Sequence, residues 1–111
     1  MENQPEMPKS PEQILAEKKE KLTKAIDLML NWQRSEKIKK AILPQLDNLT
    51  SEEIDYCLTQ VRYLDDREQL RGPFADIASE RLVKDEAELK EMEKKIGPDR
   101  IKELISLMKG E

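Results

Sequence analysis

The chain has 111 residues, 40% of them charged and 37% hydrophobic, and its formal net charge at pH 7 is −4. The length is that of one domain, the apolar content allows only a thin core, and the acidic balance disfavours general affinity for nucleic acid. The single cysteine excludes an intrachain disulfide, and no apolar run approaches the roughly 20 residues that a membrane-spanning helix needs.

Residues 1–9 are polar and contain Pro5 and Pro8, so we expect a disordered N-terminal tail. This tail has no apolar signal core, and the predicted location of the protein is therefore the cytoplasm. The remaining residues, 10–111, are predicted to form a single helical domain.

The first helix is predicted to begin after Ser10, which can cap it while Pro11 takes the first helical position and Gln13 completes a capping box. Its broad apolar face is formed by Ile14, Leu15, Leu22, Ala25, Ile26, Met29 and Trp32. Because apolar residues further along fall on the opposite side, we expect a break at residues 33–35, with Ser35 capping a second helix.

The second helix is expected to be short, over residues 36–41, because Pro44 disfavours helical geometry in the residue before it. Asp47 and Asn48 then predict a turn. This turn leads into the best-defined helix start of the sequence.

The segment 49–70 is predicted to be the central helix of the fold. Thr50 and Glu53 have the spacing of a capping box, which marks the start of this helix. Its end is expected either near Asp66 or just before Gly72, and the second position is favoured. One side carries the apolar residues Ile54, Cys57, Leu58, Val61 and Leu64, and a stripe almost opposite carries Tyr56, Tyr63 and Leu70. A helix that is apolar on two sides is expected to lie between two neighbours.

Two more helices are predicted after the central one. Pro73 suits the first turn of the fourth helix, and Gly97 followed by Pro98 stops it. Asp99 is expected to cap a short last helix. The apolar face of the fourth helix is formed by Phe74, Ile77, Ala78, Leu82, Leu89, Met92 and Ile96. Asp85 interrupts this face.

These elements predict an all-α fold, a small antiparallel bundle of four to five helices, because short turns place successive helices side by side. No segment has the alternating pattern of a strand. Apolar residues at heptad spacing on the first and fourth helices suit pairing with another helix.

The chain lacks most of the groups that enzymes use. It has no histidine, and none of its three glycines lies in a phosphate-binding motif. We therefore predict no catalytic residues, no cofactor and no metal site. The lone Cys57 lies on an apolar helix face, where a small buried side chain is favoured over a reactive thiol.

The predicted function is therefore protein–protein interaction, as an adaptor, a regulator or inhibitor, or an accessory subunit. The docking surface is expected either on the stripe of Tyr56, Tyr63 and Leu70 or on the apolar edge of the first helix, which includes Trp32. The stripe has a second interpretation, which is favoured for its tyrosines: it can be the other core face of a sandwiched helix. The expected partner is another protein or a second copy of this chain.

The alternative is a nucleic-acid-associated accessory factor. Residues 18–40 contain eight basic and three acidic residues. The candidate contacts are Lys18, Lys19, Arg34, Lys37, Lys39 and Lys40. Because Glu17 and Glu20 lie among lysines that spread around the first helix, a solvated surface is favoured over a nucleic-acid footprint. No motif is specific enough to indicate a protein family.

Overall fold

The computed structural model describes residues 10–109, and in this part of the chain every regular element is helical. The expected tail, residues 1–9, lies outside the described residues. Five α-helices are present, together with a 3-10 helix at Leu43–Asn48 between α2 and α3. The α-helices are α1 (Pro11–Asp27), α2 (Trp32–Ile42), α3 (Ser51–Gln69), α4 (Ala75–Ile96) and α5 (Pro98–Lys109). The predicted all-α bundle is confirmed.

The central position of α3 is also confirmed, since it packs against α1, α4 and α5. Its pairing with α4 is antiparallel, as two ion pairs between them demonstrate. Arg62 contacts Asp85 at 2.6 Å, and further along α3 Asp66 contacts Arg81 at 2.8 Å, which lies earlier in α4. The short turn between the two helices dictates this direction.

Helix α1 runs beside α3 in the same direction. Lys18 pairs with Asp55 at 2.9 Å, and the backbone N–H of Leu30, just after α1, donates to Asp65 at 2.9 Å. Two helices that are neighbours in space but point the same way need a connection that returns the chain. Helix α2 and the 3-10 helix provide that return.

One continuous core joins all five helices. Helix α5 closes it and is tied to the start of α3 by Arg100, whose guanidinium donates to Glu53 at 2.6 Å. The fully buried apolar side chains include Leu22, Ile26, Ile38, Ile42, Ile54, Tyr56, Cys57 and Leu104. No helix within residues 10–109 is both long and apolar enough to cross a membrane.

Both predicted capping boxes are confirmed. The backbone N–H of Gln13 donates to the Ser10 hydroxyl at 3.2 Å, and that of Glu53 donates to the Thr50 hydroxyl at 3.2 Å. In each box the longer side chain accepts in return from the cap residue's own N–H. Local signals of this kind depend on four consecutive residues only, which is why they can be read from sequence.

The predicted break between the first two helices is wrong in position. Helix α1 already ends at Asp27, and Asn31 caps α2 by accepting from the Arg34 backbone N–H at 3.0 Å. Ser35 is not a cap. It is buried within α2, and its hydroxyl donates to the Ile26 carbonyl oxygen at 2.6 Å. Trp32 therefore belongs to α2 and not to the apolar face that was expected on the first helix.

The helix ends on either side of the α3–α4 turn also differ from expectation. Helix α3 continues past Asp66 and ends at Gln69, close to the favoured position. Helix α4 begins at Ala75 rather than at Pro73, so Phe74 lies in the turn and is exposed. Ile77, expected in the core, is 54% exposed as well.

The last turn is sharper than predicted. Gly97 has a φ of +101°, a conformation that favours glycine, and α5 follows at once from Pro98. Asp99 therefore lies in the first turn of α5 instead of capping it.

Candidate functional site

The loop between α1 and α2, together with the first residue of α2, presents large apolar side chains to solvent. Leu28 is 79% exposed, Leu30 is 62% exposed and Trp32 is 70% exposed. We call these three residues the Trp32 surface. The backbone that carries it is fixed, because the N–H of Leu30 donates to Asp65 on α3 and Asn31 caps α2.

A groove of about 460 Å³ lies beside this surface, between α2, α3 and α5. Its apolar lining comes from three side chains on two helices, Leu64, Ile105 and Met108. Asn31 and Gln33, on either side of Trp32 in the sequence, also line it. Trp32 itself is not a lining residue, so the Trp32 surface meets the groove only through these two neighbours in the chain. We call this cavity the α2–α3–α5 groove.

The charged side chains that line the groove are all basic: Arg34, Lys37, Arg67 and Lys109. Arg34 makes a loose pair with Glu68 at 3.7 Å, and the Arg67 guanidinium carbon lies 5.8 Å from the centre of the Tyr63 ring. Lys37 and Lys109 form no ion pair with other described residues. The groove is thus a positive, partly apolar concavity on a chain with net negative charge.

The expected tyrosine stripe does not form a docking surface as a unit. Tyr56 is completely buried, and its hydroxyl donates to Glu93 at 3.0 Å and accepts from the Gln60 amide at 2.9 Å. Burial raises the pKa of Tyr56 to about 12. Tyr63 is half-buried against the core, and Leu70 is 38% exposed at the end of α3. Tyr56 is therefore core, which corrects its place among the candidate binding residues, whereas Trp32 and Leu70 reach the surface.

Most of the candidate nucleic-acid contacts are already paired with carboxylates of the same chain. The four that form ion pairs within the chain are Lys18, Lys19, Arg34 and Lys39. Lys39, for example, bonds to Asp27 at 2.9 Å across the α1–α2 junction, and this hydrogen bond raises the pKa of the lysine. Lys37 and Lys40 are exposed on α2. The six cations do not form one free face, and the groove takes only Arg34 and Lys37 from them.

Two buried aspartates form a polar feature of which the sequence indicated only one member, Asp85. Asp85, which interrupts the apolar stripe of α4, is 1% exposed, and Asp66 on α3 is 2% exposed. Each pairs with a partly exposed arginine, Asp85 with Arg62 and Asp66 with Arg81. Paired carboxylates can act as general acid and base only where a substrate reaches them, and these two are closed in between helices.

The single thiol is also closed off. Cys57 is completely buried, and burial raises its pKa to about 12. A thiol in such surroundings is inert toward electrophiles. Among residues 10–109, no group of three or more histidine, cysteine, aspartate or glutamate side chains is arranged to hold a metal ion.

Some residues of this site could be predicted from the sequence, and others could not. Trp32 was a candidate binding residue, and Arg34 and Lys37 were noted for their charge. Arg67 and Lys109 gave no signal, because the groove brings together three helices that are distant in the chain. Comparison with protein-family models, curated proteins and solved structures finds no match to this chain.

Proposed function

We propose that this protein binds another protein without catalysis, as an adaptor, a regulator or inhibitor, or an accessory subunit. The observation that carries the proposal is the exposure of Trp32, which at 70% is high for the only tryptophan of a chain with four aromatic residues. Tryptophan is enriched among the anchor residues of protein interfaces.

The surroundings of Trp32 support the same proposal. Leu28 and Leu30 extend the apolar area, and the adjoining groove offers a concavity with polar and charged edges. An apolar patch with a polar rim is the usual anatomy of a protein interface. Because the backbone of the loop is held by Asn31 and Asp65, docking needs little ordering of the chain.

The proposed location is the cytoplasm. The lone thiol of Cys57 is buried in the core and takes part in no disulfide, so folding needs no oxidising compartment. A second copy of this chain is the alternative occupant of the Trp32 surface, and a homodimer would be detected by light scattering during size-exclusion chromatography.

Quantitative affinity capture from extracts of the source organism tests the proposal. The wild-type chain, Trp32→Ser and Val83→Ser are compared as immobilised baits. Val83 is the matched control, since it is 68% exposed but lies on α4 outside the groove. We expect at least one protein to be retained by the wild type and by Val83→Ser, and retained roughly thirtyfold less by Trp32→Ser, as loss of about 2 kcal/mol implies.

Equal thermal stability of the three baits is required for this comparison, and both substitutions lie on the surface, where stability effects are small. Unchanged retention by Trp32→Ser would contradict the proposal. So would retention that Val83→Ser reduces to the same extent.

Nucleic-acid association is the alternative function, and its support is weaker because four of the six candidate cations are engaged within the chain. It is tested by retention on duplex DNA and on RNA over a salt series. Binding with a steep logarithmic salt dependence would favour it, and no retention at low salt would remove it.

A further inference from the structure

We infer that the partner presents an acidic segment with apolar side chains, and that this segment enters the α2–α3–α5 groove beside Trp32. The inference rests on the proposed function and adds the chemistry of the ligand to it. The groove supplies both halves of the recognition, a positive wall and an apolar floor.

The positive wall is the first argument. The groove lining includes four cations and no carboxylate, although acidic residues outnumber basic ones in the chain by 24 to 20. Lys37 is exposed and, like Lys109, makes no ion pair with other described residues. Their charges are therefore available to carboxylates of a partner, and such complementarity steers association and selects the partner.

The apolar floor is the second argument, because it excludes a bare anion as the natural ligand. Leu64 and Ile105 are half-buried, and Met108, the third apolar lining residue, is 4% exposed. An inorganic ion would leave this floor uncovered, whereas apolar side chains that alternate with carboxylates would cover it. The flexible thioether of Met108 can adapt to side chains of different shape.

The size and surroundings of the groove favour a peptide over nucleic acid. A volume of about 460 Å³ accommodates a few side chains of an amphipathic segment, which is how helices dock in apolar grooves. A nucleic-acid backbone would need a longer positive track. Here the positive charges are confined to the groove lining, and Glu68 already lies 3.7 Å from one of them, Arg34.

The test uses three synthetic, tryptophan-free helical peptides that carry fluorescein. The first has leucines along one face and glutamates elsewhere, the second has lysines in place of the glutamates, and the third has serines in place of the leucines. Peptide anisotropy gives the affinity. Tryptophan fluorescence of the full-length protein reports whether the peptide binds near Trp32, because Trp32 is the only tryptophan of the chain. We expect saturable binding of the first peptide alone, with a blue shift of Trp32 emission.

Charge reversal locates the contact. Lys37→Glu is expected to weaken binding of the leucine–glutamate peptide about tenfold at low salt, and added salt is expected to reduce this difference. Lys21→Glu is the matched control, since Lys21 is exposed on α1 and outside the groove. It should change the affinity less than about twofold. Both variants are expected to fold, because each changes an exposed side chain on a helix surface.

Four outcomes would overturn the inference. They are equal binding of the lysine peptide, equal binding of the serine peptide, equal loss from both protein variants, and no saturable binding up to about 1 mM peptide. A single-stranded DNA oligonucleotide that binds in a Lys37-dependent way, when the peptides do not, would assign the groove to nucleic acid instead.

The capture experiment separates this inference from the proposed function. A natural partner that is lost by Trp32→Ser but kept by Lys37→Glu would leave protein binding in place and refute the acidic segment. A partner that Trp32→Ser does not affect would refute the proposed function itself.

Discussion

Asp66 on α3 and Asp85 on α4 are both buried where these two helices pack, and the carboxyl group of Asp85 disfavours ionisation of Asp66 by raising its pKa. Each has one oxygen bonded to an arginine and a second oxygen, Oδ2, that is buried and has no hydrogen-bond partner among the described residues. Two ionised carboxylates cannot hydrogen-bond to each other, because both are acceptors only. A single proton on one of the two carboxyl groups removes this obstacle, because it turns that group into a donor.

This pair makes stability depend on pH. Burial, and after it the neighbouring carboxyl group of Asp85, raise the pKa of Asp66 to about 6, above its ordinary value of 3.8. The folded state therefore binds a proton more tightly than the unfolded state does. The stabilising contribution is complete below pH 3.8 and is lost as the pH rises through about 6.

Asp66→Asn is expected to stabilise the protein at pH 7.5 by about 1–2 kcal/mol, because a neutral amide can donate to Asp85 without a buried like charge. The expected gain is smaller than the shift in pKa alone implies, since the amide also bonds less strongly to Arg81. Urea unfolding at pH 5 and at pH 7.5 measures this, and the difference between the two proteins should nearly vanish at pH 5.

Glu86→Gln is the control for this experiment, because Glu86 directly follows Asp85 on α4 but is exposed, so its charge is solvated. Titration of Glu53 does not contribute to the difference in stability between pH 5 and pH 7.5. Its hydrogen bonds with Arg100 lower its pKa from 4.5, so its contribution is lost only at more acidic pH. A loss of stability in Asp66→Asn at pH 7.5 would mean that both aspartates are ionised and satisfied by the arginines.

The sequence allowed the local features of this fold to be predicted but not the pairings between distant residues. The Ser10 and Thr50 caps were predictable because all their partners lie within three residues. Asp85 was recognisable as a flaw in an apolar stripe. Its partner Asp66 was not, because only the α3–α4 packing brings the two together.

The α1–α2 boundary was misread for a related reason. Met29 is buried in register with α1 although it lies beyond the end of that helix, so the periodic pattern continues where the helix does not. Ser35 was the expected cap, but asparagine is as strong a cap residue as serine, so capping preference gives Ser35 no advantage over Asn31. Because α1 ends at Asp27 and α2 begins at Trp32, the tryptophan is exposed and does not join the buried face of α1. The proposed site therefore depends on the position of this boundary.

Thr50→Ala is expected to destabilise the protein by about 1 kcal/mol, because it removes the acceptor for the Glu53 backbone N–H at the start of the central helix. Ser10→Ala removes an acceptor at the same distance, 3.2 Å, from an exposed helix end. We expect it to cost only a few tenths of a kcal/mol, since that end can fray. Chemical denaturation gives the free energy of unfolding of both variants. Equal losses would show that the start of α3 is no more tightly coupled to the folded core than the start of α1.

Tyr56→Ala is expected to cost about 3–5 kcal/mol, because it empties a fully buried site and leaves the hydrogen-bonding groups of Glu93 and Gln60 without their partner. Tyr63→Ala should cost about 1 kcal/mol, as expected for a half-buried ring. Thermal and urea unfolding measure both. If Tyr56→Ala kept its stability and lost a partner instead, the assignment of Tyr56 to the core would be wrong.

Cys57 is expected to report on unfolding. Its burial and its pKa of about 12 leave almost no thiolate at pH 8, so the native protein should react with a disulfide reagent at least about a hundredfold more slowly than the urea-unfolded chain. Because the chain has one cysteine, the absorbance change belongs to this residue alone. Fast labelling without denaturant would indicate that α3 opens locally.

Site-specific photocrosslinking tests the central claim, that the Trp32 surface is where a partner docks. A benzophenone amino acid is placed at Trp32 in one protein and at Val83 in another, positions that are 70% and 68% exposed. Both proteins are irradiated in extracts of the source organism. We expect a discrete adduct with one protein from position 32 and none from position 83. The same adducts from both positions, or adducts from position 83 only, would contradict it.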